Sequence, residues 1–215
     1  MKSLQKRNKT SIHTYKDENS YMKNIKLAQC IPTRDYGVLN RIAKKILIWR
    51  SWSIEGELPA QSKFVLAVAP HTSNWDFFVG ISAMFALQLK TSFLGKASIF
   101  RWPVKSLLTA MGGIAIERSH RHGIVEQIVE KIKHSESFVL AIAPEGTRSK
   151  TVEWKTGFLH IAKQANIPVV PVSLDFAKKE IRFYSAINIK GEISQELVDF
   201  KQVFVDVCAK NPQAV

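Results

Sequence analysis

His71 and Asp76 are the side chains best suited to move a proton, and they stand five residues apart in Pro70-His71-Thr72-Ser73-Asn74-Trp75-Asp76. Within one continuous helix that spacing would set them about 140° apart, off any common face. At a turn from strand to helix the backbone doubles back and the two can meet. Thr72, Ser73 and Asn74 suit such a turn and the N-cap that closes it. An aspartate in the first helical turn feels the positive end of the dipole and stays ionised. It can accept the Nδ1 proton of His71, leaving Nε2 to take a proton from a hydroxyl. A dyad of this kind has no nucleophile of its own, so the substrate must bring the attacking oxygen. Taken alone, the same residues also describe a capped helix with an incidental histidine.

Three more segments carry residues of chemical interest. In Gly112-Gly113-Ile114-Ala115-Ile116-Glu117-Arg118 two glycines open a short apolar strand and permit close backbone approach. Arg118 then emerges at the strand end, where a guanidinium can hold a phosphate by two hydrogen bonds. In Ala143-Pro144-Glu145-Gly146-Thr147-Arg148 the glycine frees backbone N–H groups, Thr147 adds a hydroxyl and Arg148 a fork of donors. Together they suit a phosphate and a neighbouring hydroxyl. Glu145 either binds acceptor hydroxyls or organises Arg148, and a plain turn with a salt bridge is its simpler explanation. Lys155, just before Thr156-Gly157, can add a cation. Ile167-Pro168-Val169-Val170-Pro171-Val172 shapes a strand beside an apolar groove or packs in the core.

The elements that must position these groups follow from apolar patterning. Short apolar runs predict strands at 64–69, 91–94, 113–116, 138–143, 169–174 and 181–189. Longer periodic stretches predict helices at 76–89, 104–111, 121–134 and 157–166, with 195–208 closing the chain. The fold class expected is α/β: a single domain with a largely parallel mixed sheet flanked by helices, preceded by a basic N-terminal amphipathic segment. Its parts are a basic flexible or loosely helical arm (1–35), an amphipathic helix and linker (36–60) and the main domain (61–215). In such sheets chemistry gathers beyond the carboxyl ends of strands, and the motifs fall there. Phe77, Phe78, Ile81, Met84 and Phe85 either line an apolar groove or belong to the core.

Charge narrows the partners. Of a formal +13, residues 1–50 supply nine, with twelve Lys/Arg against three acids. Such an excess favours an anionic surface, whether bilayer or nucleic acid. Between Tyr36 and Trp52, apolar residues recur near helical spacing with Arg41, Lys44, Lys45 and Arg50 interleaved. That helix either lies among lipid headgroups or packs on the core. No apolar run reaches the roughly 20 residues of a membrane span, and no signal-peptide core follows the basic start. Cys30 and Cys208 form no metal spacing and are read as reduced thiols. A nucleic-acid binder would suit the charge and the tryptophans, but no recognised binding module is present. A serine hydrolase would need a G-x-S-x-G elbow, which is missing.

In their order, His71…Asp76, Gly113…Arg118, Glu145-Gly146-Thr147-Arg148 and Ile167-Pro168…Pro171 resemble the four motif blocks of the glycerolipid acyltransferase family. The likeness is strongest to bacterial 1-acylglycerol-3-phosphate acyltransferases. The resemblance implies acyl transfer from acyl-CoA or acyl carrier protein to the hydroxyl of a lysophospholipid, giving phosphatidic acid from 1-acylglycerol 3-phosphate. It implies His71 as base, Asp76 as its partner, and Arg118, Glu145, Gly146, Thr147 and Arg148 as the acceptor site. No metal or bound cofactor is implied. The expected partners are a membrane surface, the acyl donor and the lysolipid, with no nucleic acid. The expected location is the cytoplasmic face of a bacterial inner membrane, peripheral and without a transmembrane helix. Pro70 and Ala143 stand where the family often has a polar residue and a phenylalanine. Another lysolipid or glycerol 3-phosphate as acceptor, or a non-catalytic basic scaffold, are the alternatives.

Overall fold

The computed structural model describes residues 12–15, 21–116, 123–147, 151 and 153–214. Arg118 and Arg148 therefore lie outside the described residues. The described strands are β1 (Ile12–Tyr15), β2 (Met22–Ala28), β3 (Ser53–Glu57), β4 (Lys63–Ala69), β5 (Thr91–Lys96), β6 (Gly113–Ile116), β7 (Phe138–Ile142), β8 (Val169–Asp175) and β9 (Glu180–Phe183). They form one sheet in the order β1-β2-β3-β9-β8-β4-β7-β5-β6. Pairing is parallel except at β1–β2 and β8–β9. The helices are α1 (Val38–Trp49), α2 (Asn74–Ala86), α3 (Val104–Ala110), α4 (Ile124–Lys133), α5 (Gly157–Ala165) and α6 (Ile193–Gln202).

Burial explains the strand order. All seven residues of β8 are buried, and it runs between β9 and β4 near the middle of the sheet. A strand covered on both faces needs apolar side chains on both, which is why VVPVSL reads as a continuous run rather than an alternation. Pro171 within it has no N–H to donate, while its carbonyl accepts from the Tyr184 N–H at 3.0 Å. β4 shows the two-faced pattern directly. Phe64 and Leu66 join one core, while Val65, Ala67 and Ala69 join the other.

One core lies under α1 and α2, holding Ala43 and Leu47 from the first, Ala83 to Ala86 from the second and Leu87 just after it. The opposite core holds Ile128, Val129 and Ile132 of α4, Phe158, Leu159 and Ile161 of α5, and Phe200 of α6. The corner from the 3-10 turn Ala97–Ile99 into α3 belongs to the α1–α2 side. Leu94 and Ile114 pack against the α4–α6 core, so Gly95 and Gly113, one residue along each strand, face the other way. A Cβ on Gly95 would come 2.8 Å from the Phe100 ring, and one on Gly113 would come 2.8 Å from the same ring. The two glycines thus let Phe100 lie flat on the sheet, 8% exposed, as the anchor of this corner.

The predicted α/β class stands and the helices lie where expected with ends moved by no more than three residues, except that the closing helix expected over 195–208 is α6 at Ile193–Gln202. Three expectations change. Residues 22–28 are not an arm but a strand paired in parallel with β3. Residues 53–57, expected as linker, form β3 beside β9. The strand expected at 181–189 ends at Phe183 and returns antiparallel against β8, with Ile187 bridging to Val169. No helix among the described residues is long and apolar enough to cross a membrane. Both cysteines are free and exposed.

Candidate active site

β4 and β7 are parallel neighbours, so the turns leaving their carboxyl ends sit side by side. The first holds His71 and the second Glu145. Ser73 caps α2, its hydroxyl accepting from the Trp75 N–H at 2.9 Å. Asp76, at the third helical position, closes the capping box by accepting from the Ser73 N–H at 2.7 Å. The same oxygen, Oδ2, accepts from the Thr72 N–H at 2.6 Å. It also lies 3.4 Å from Nδ1 of His71. The cap geometry is therefore what brings imidazole and carboxylate together across five residues. A 3.4 Å approach is long for a hydrogen bond, as catalytic pairs often are before substrate tightens them.

Environment divides the two side chains. The Asp76 side chain is 1% exposed and the His71 side chain 24%. With Nδ1 turned to the carboxylate, Nε2 is the nitrogen on the far side of the ring. Oδ1 of Asp76 is buried and has no hydrogen-bond partner among the described residues. A carboxylate held by two backbone N–H groups at a helix N-terminus, yet buried, is an anion the fold supports chiefly through this one turn.

Glu145 has a different partner from either one expected. Its carboxylate, 8% exposed, accepts the backbone N–H of His71 with both oxygens, at 3.0 and 2.8 Å. A buried carboxylate so engaged is not presented to an acceptor hydroxyl, and no contact with Arg148 falls within the described residues. Burial lifts the Glu145 carboxyl above the ordinary carboxylate value. The His71 N–H and imidazole pull it down, and the Asp76 charge pushes it up again. Gly146 follows with a positive φ of 66°, and its N–H donates to the Ala143 carbonyl at 3.1 Å. The stem of Lys155 lies against it, and the Lys155 N–H donates to the Pro144 carbonyl at 2.7 Å. Thr147 completes the turn beside them, and the expected cation at Lys155 is brought to the site's edge.

The N–H groups of His71, Thr72, Ser73 and Trp75 are each taken by a side chain of the turn itself or of the neighbouring Glu145 turn. They shape the turn; they do not face a substrate. The sequence also missed Asn211. Its backbone N–H donates to the Thr72 hydroxyl at 3.1 Å, and its amide donates to the Thr72 carbonyl at 3.0 Å. The chain reaches this point after α6 by way of the carboxyl end of β8, where the Phe176 N–H donates to the Cys208 carbonyl at 2.9 Å. Nothing in the local pattern around Asn211 signals that contact.

Of the apolar residues expected near the site, Met84 and Phe85 are core, whereas Phe78 is exposed and Phe77 packs on Phe93 with ring centroids 5.7 Å apart. On α1 the inward residues are Ala43 and Leu47, and Val38, Leu39, Ile42, Ile46 and Trp49 face outward. The exposed string continues to α2, because the Arg50 guanidinium lies over both Trp49 and Trp75, 5.5 and 5.7 Å from the ring centroids.

Residues 52–175 match the family described as Acyltransferase. Among curated relatives, a 1-acyl-sn-glycerol-3-phosphate acyltransferase of Escherichia coli is 30% identical over 121 residues, 53% of this chain and 48% of its own length. One of Cocos nucifera is 29% identical over 150 residues, 66% of this chain and 47% of its own. One of Haemophilus influenzae is 25% identical over 156 residues, 68% of this chain and 62% of its own. The chain thus spans about half the length of most of the curated relatives it matches. In fold it is similar to the crystal structure of the 1-acyl-sn-glycerophosphate (LPA) acyltransferase PlsC from Thermotoga maritima, with a TM-score of 0.54 and 22% identity over 77% of this chain and 75% of that one. With more than half its length matched to the family, the chain belongs to the glycerolipid acyltransferase family.

Proposed function

We propose that this protein is an O-acyltransferase that moves a fatty acyl group from acyl-CoA or acyl carrier protein to the hydroxyl of a lysophospholipid, with 1-acylglycerol 3-phosphate as acceptor and phosphatidic acid as product. The observation that carries the reading is the 3.4 Å approach of His71 Nδ1 to a buried Asp76 at the carboxyl end of β4. Nε2 of His71 takes the proton of the acceptor hydroxyl as its oxygen attacks the thioester carbonyl. The tetrahedral intermediate collapses, the C–S bond breaks, and the imidazolium returns its proton to the departing thiolate. Asp76 holds the ring orientation and favours the imidazolium. Glu145 holds His71 from behind through its N–H. Arg118 and Arg148, which follow β6 and the Glu145 turn in sequence, supply guanidinium groups for the acceptor phosphate. α1, apolar and cationic outward, lies on the lipid surface at the cytoplasmic face of the inner membrane.

Thiol release is the direct test. Acyl-CoA and acyl carrier protein are offered in turn with a panel of lysolipids and glycerol 3-phosphate, to the parent and to His71→Ala. The expected result is acceptor-dependent release, highest with 1-acylglycerol 3-phosphate and reduced about 10²–10⁴-fold in the variant. Equal release by both proteins removes His71 from the mechanism. Preference for another acceptor reassigns the substrate.

A further inference from the structure

Exposed apolar side chains are not spread evenly over the molecule. Among the described residues, the α4–α6 side shows large ones only at Val198 and, just past α6, Val205. The α1–α2–α3 side carries the rest, and α1 accounts for only part of them. A separate group sits at the corner held down by Phe100: Ile99 is 49% exposed, Trp102 91%, Val104 46% and Leu107 59%. A tryptophan left almost wholly in water, beside three branched aliphatics, marks a contact surface rather than chance exposure.

Charge identifies the occupant. Residues 77–116 contain Lys90, Lys96, Arg101 and Lys105 and no acid, and residues 36–54 contain Arg41, Lys44, Lys45 and Arg50 and no acid. Lys96, Arg101 and Lys105 are exposed around the apolar corner. On the opposite side of the sheet α4 and α6 mix Glu126, Glu130, Glu196 and Asp199 with their lysines. A second copy of this chain would set like charges face to face across the corner. A nucleic acid would leave the aliphatics without a partner. An anionic bilayer satisfies both features, taking tryptophan and aliphatics at the headgroup boundary and cations on its phosphates.

We propose that the corner from Ile99 to Leu107 is a second lipid-contacting element: Trp102, Val104 and Leu107 enter the interfacial layer of an anionic membrane, with Arg101 and Lys105 on its phosphates. The proposal rests on the lipid-facing reading of α1, and it adds a second point of attachment. One helix can rotate about its own axis on a bilayer; two separated elements on one side of the sheet cannot. Fixed in this way, the molecule turns its α1–α3 layer to the membrane, with exposed Trp75 and Phe78 at the start of the helix that His71 precedes.

The test is flotation of the full chain with phosphatidylglycerol–phosphatidylcholine vesicles and with phosphatidylcholine alone, at low and high salt. Trp102→Ser combined with Leu107→Ser is expected to lower partition on anionic vesicles tenfold or more. Arg101→Gln and Lys105→Gln together should lower it about 30-fold at low salt and little at high salt. Thermal unfolding stays unchanged in both, since these side chains are exposed. Thiol release with a short-chain, monomeric acceptor also stays unchanged. A protein without acyltransferase activity would still give the vesicle result, so the two readings fail separately. The proposal is overturned if the double variant floats as well as the parent while Trp49→Ser does not. It is equally overturned if the double variant only turns a concentration-dependent dimer into a monomer.

Discussion

The turn around His71 and the layer of α1 and α3 depart from ordinary burial in opposite senses. At the turn, two carboxylates that belong in water are buried and held by the backbone N–H groups of three consecutive residues, Glu145 by His71 and Asp76 by Thr72 and Ser73. On the layer, tryptophan and aliphatics that belong inside are exposed with cations between them. Soluble domains keep such departures few, because a buried charge without partners costs several kcal/mol and an exposed patch invites association. Each departure here marks a place where something outside the chain completes the arrangement. On the proposed function, the piece missing at the turn is a reacting hydroxyl. On the layer it is an apolar phase.

If the two regions differ in this way, substitutions in the first should change rate and those in the second should change where the protein sits. The largest effect is expected from Asp76→Asn, which keeps an acceptor for the Thr72 and Ser73 N–H groups but loses the charge facing Nδ1. Turnover should fall about 10²–10⁴-fold with the fold retained by circular dichroism. Activity within a fewfold of the parent would reduce Asp76 to a helix cap.

Leu47→Ala comes next, costing about 2–5 kcal/mol of stability in denaturant unfolding, because Leu47 is 1% exposed in the core. Two residues along the same helix, Trp49→Ala should cost less than about 0.5 kcal/mol and appear instead as weaker vesicle partition. Reversed results would mean that α1 hides the face assigned here to lipid.

Glu145→Ala leaves the His71 N–H without its buried acceptor and should cost about 1–3 kcal/mol, with a fall in kcat larger than any change in KM. Glu145→Gln keeps an acceptor and should recover most of both.

The smallest effect is the pH dependence of the same residue. The folded Glu145 carboxyl titrates above its ordinary value of 4.5, so its contribution to stability is fully present below that pH. It is lost as pH rises through the folded value. Relative to Glu145→Gln, the parent should therefore lose unfolding midpoint from about pH 4.5 upward; a difference that is flat, or of opposite sign, would refute the buried-carboxyl account.

How much of this was legible depended on whether the signal was local. The His71 turn could be read because its parts lie within six residues: a strand, a serine that caps and an aspartate in the first turn. The central strands could be read because burial on both faces leaves unbroken apolar runs. β2 was missed because its alternation is interrupted: Met22, Ile25 and Leu27 point inward with a register shift between Lys23 and Lys26. β3 was missed because SIEGE, with Gly56 at a positive φ of 106°, has the composition of a linker. Glu145 was recognised as a site residue, but its partner depends on β4 lying beside β7, and strand order is not written in any one segment. The outward face of α1 posed the opposite problem. The periodicity was plain, and only the sheet could tell which side it covered.

The grip of Asn211 on Thr72 spans 139 residues of sequence. The histidine is thus in place along the chain long before this brace arrives, and the turn stays unfinished until the segment after α6 has reached the carboxyl end of β8. Proteolytic nicking near residue 208, or tension on the segment after α6, would reach the His71 turn without touching it.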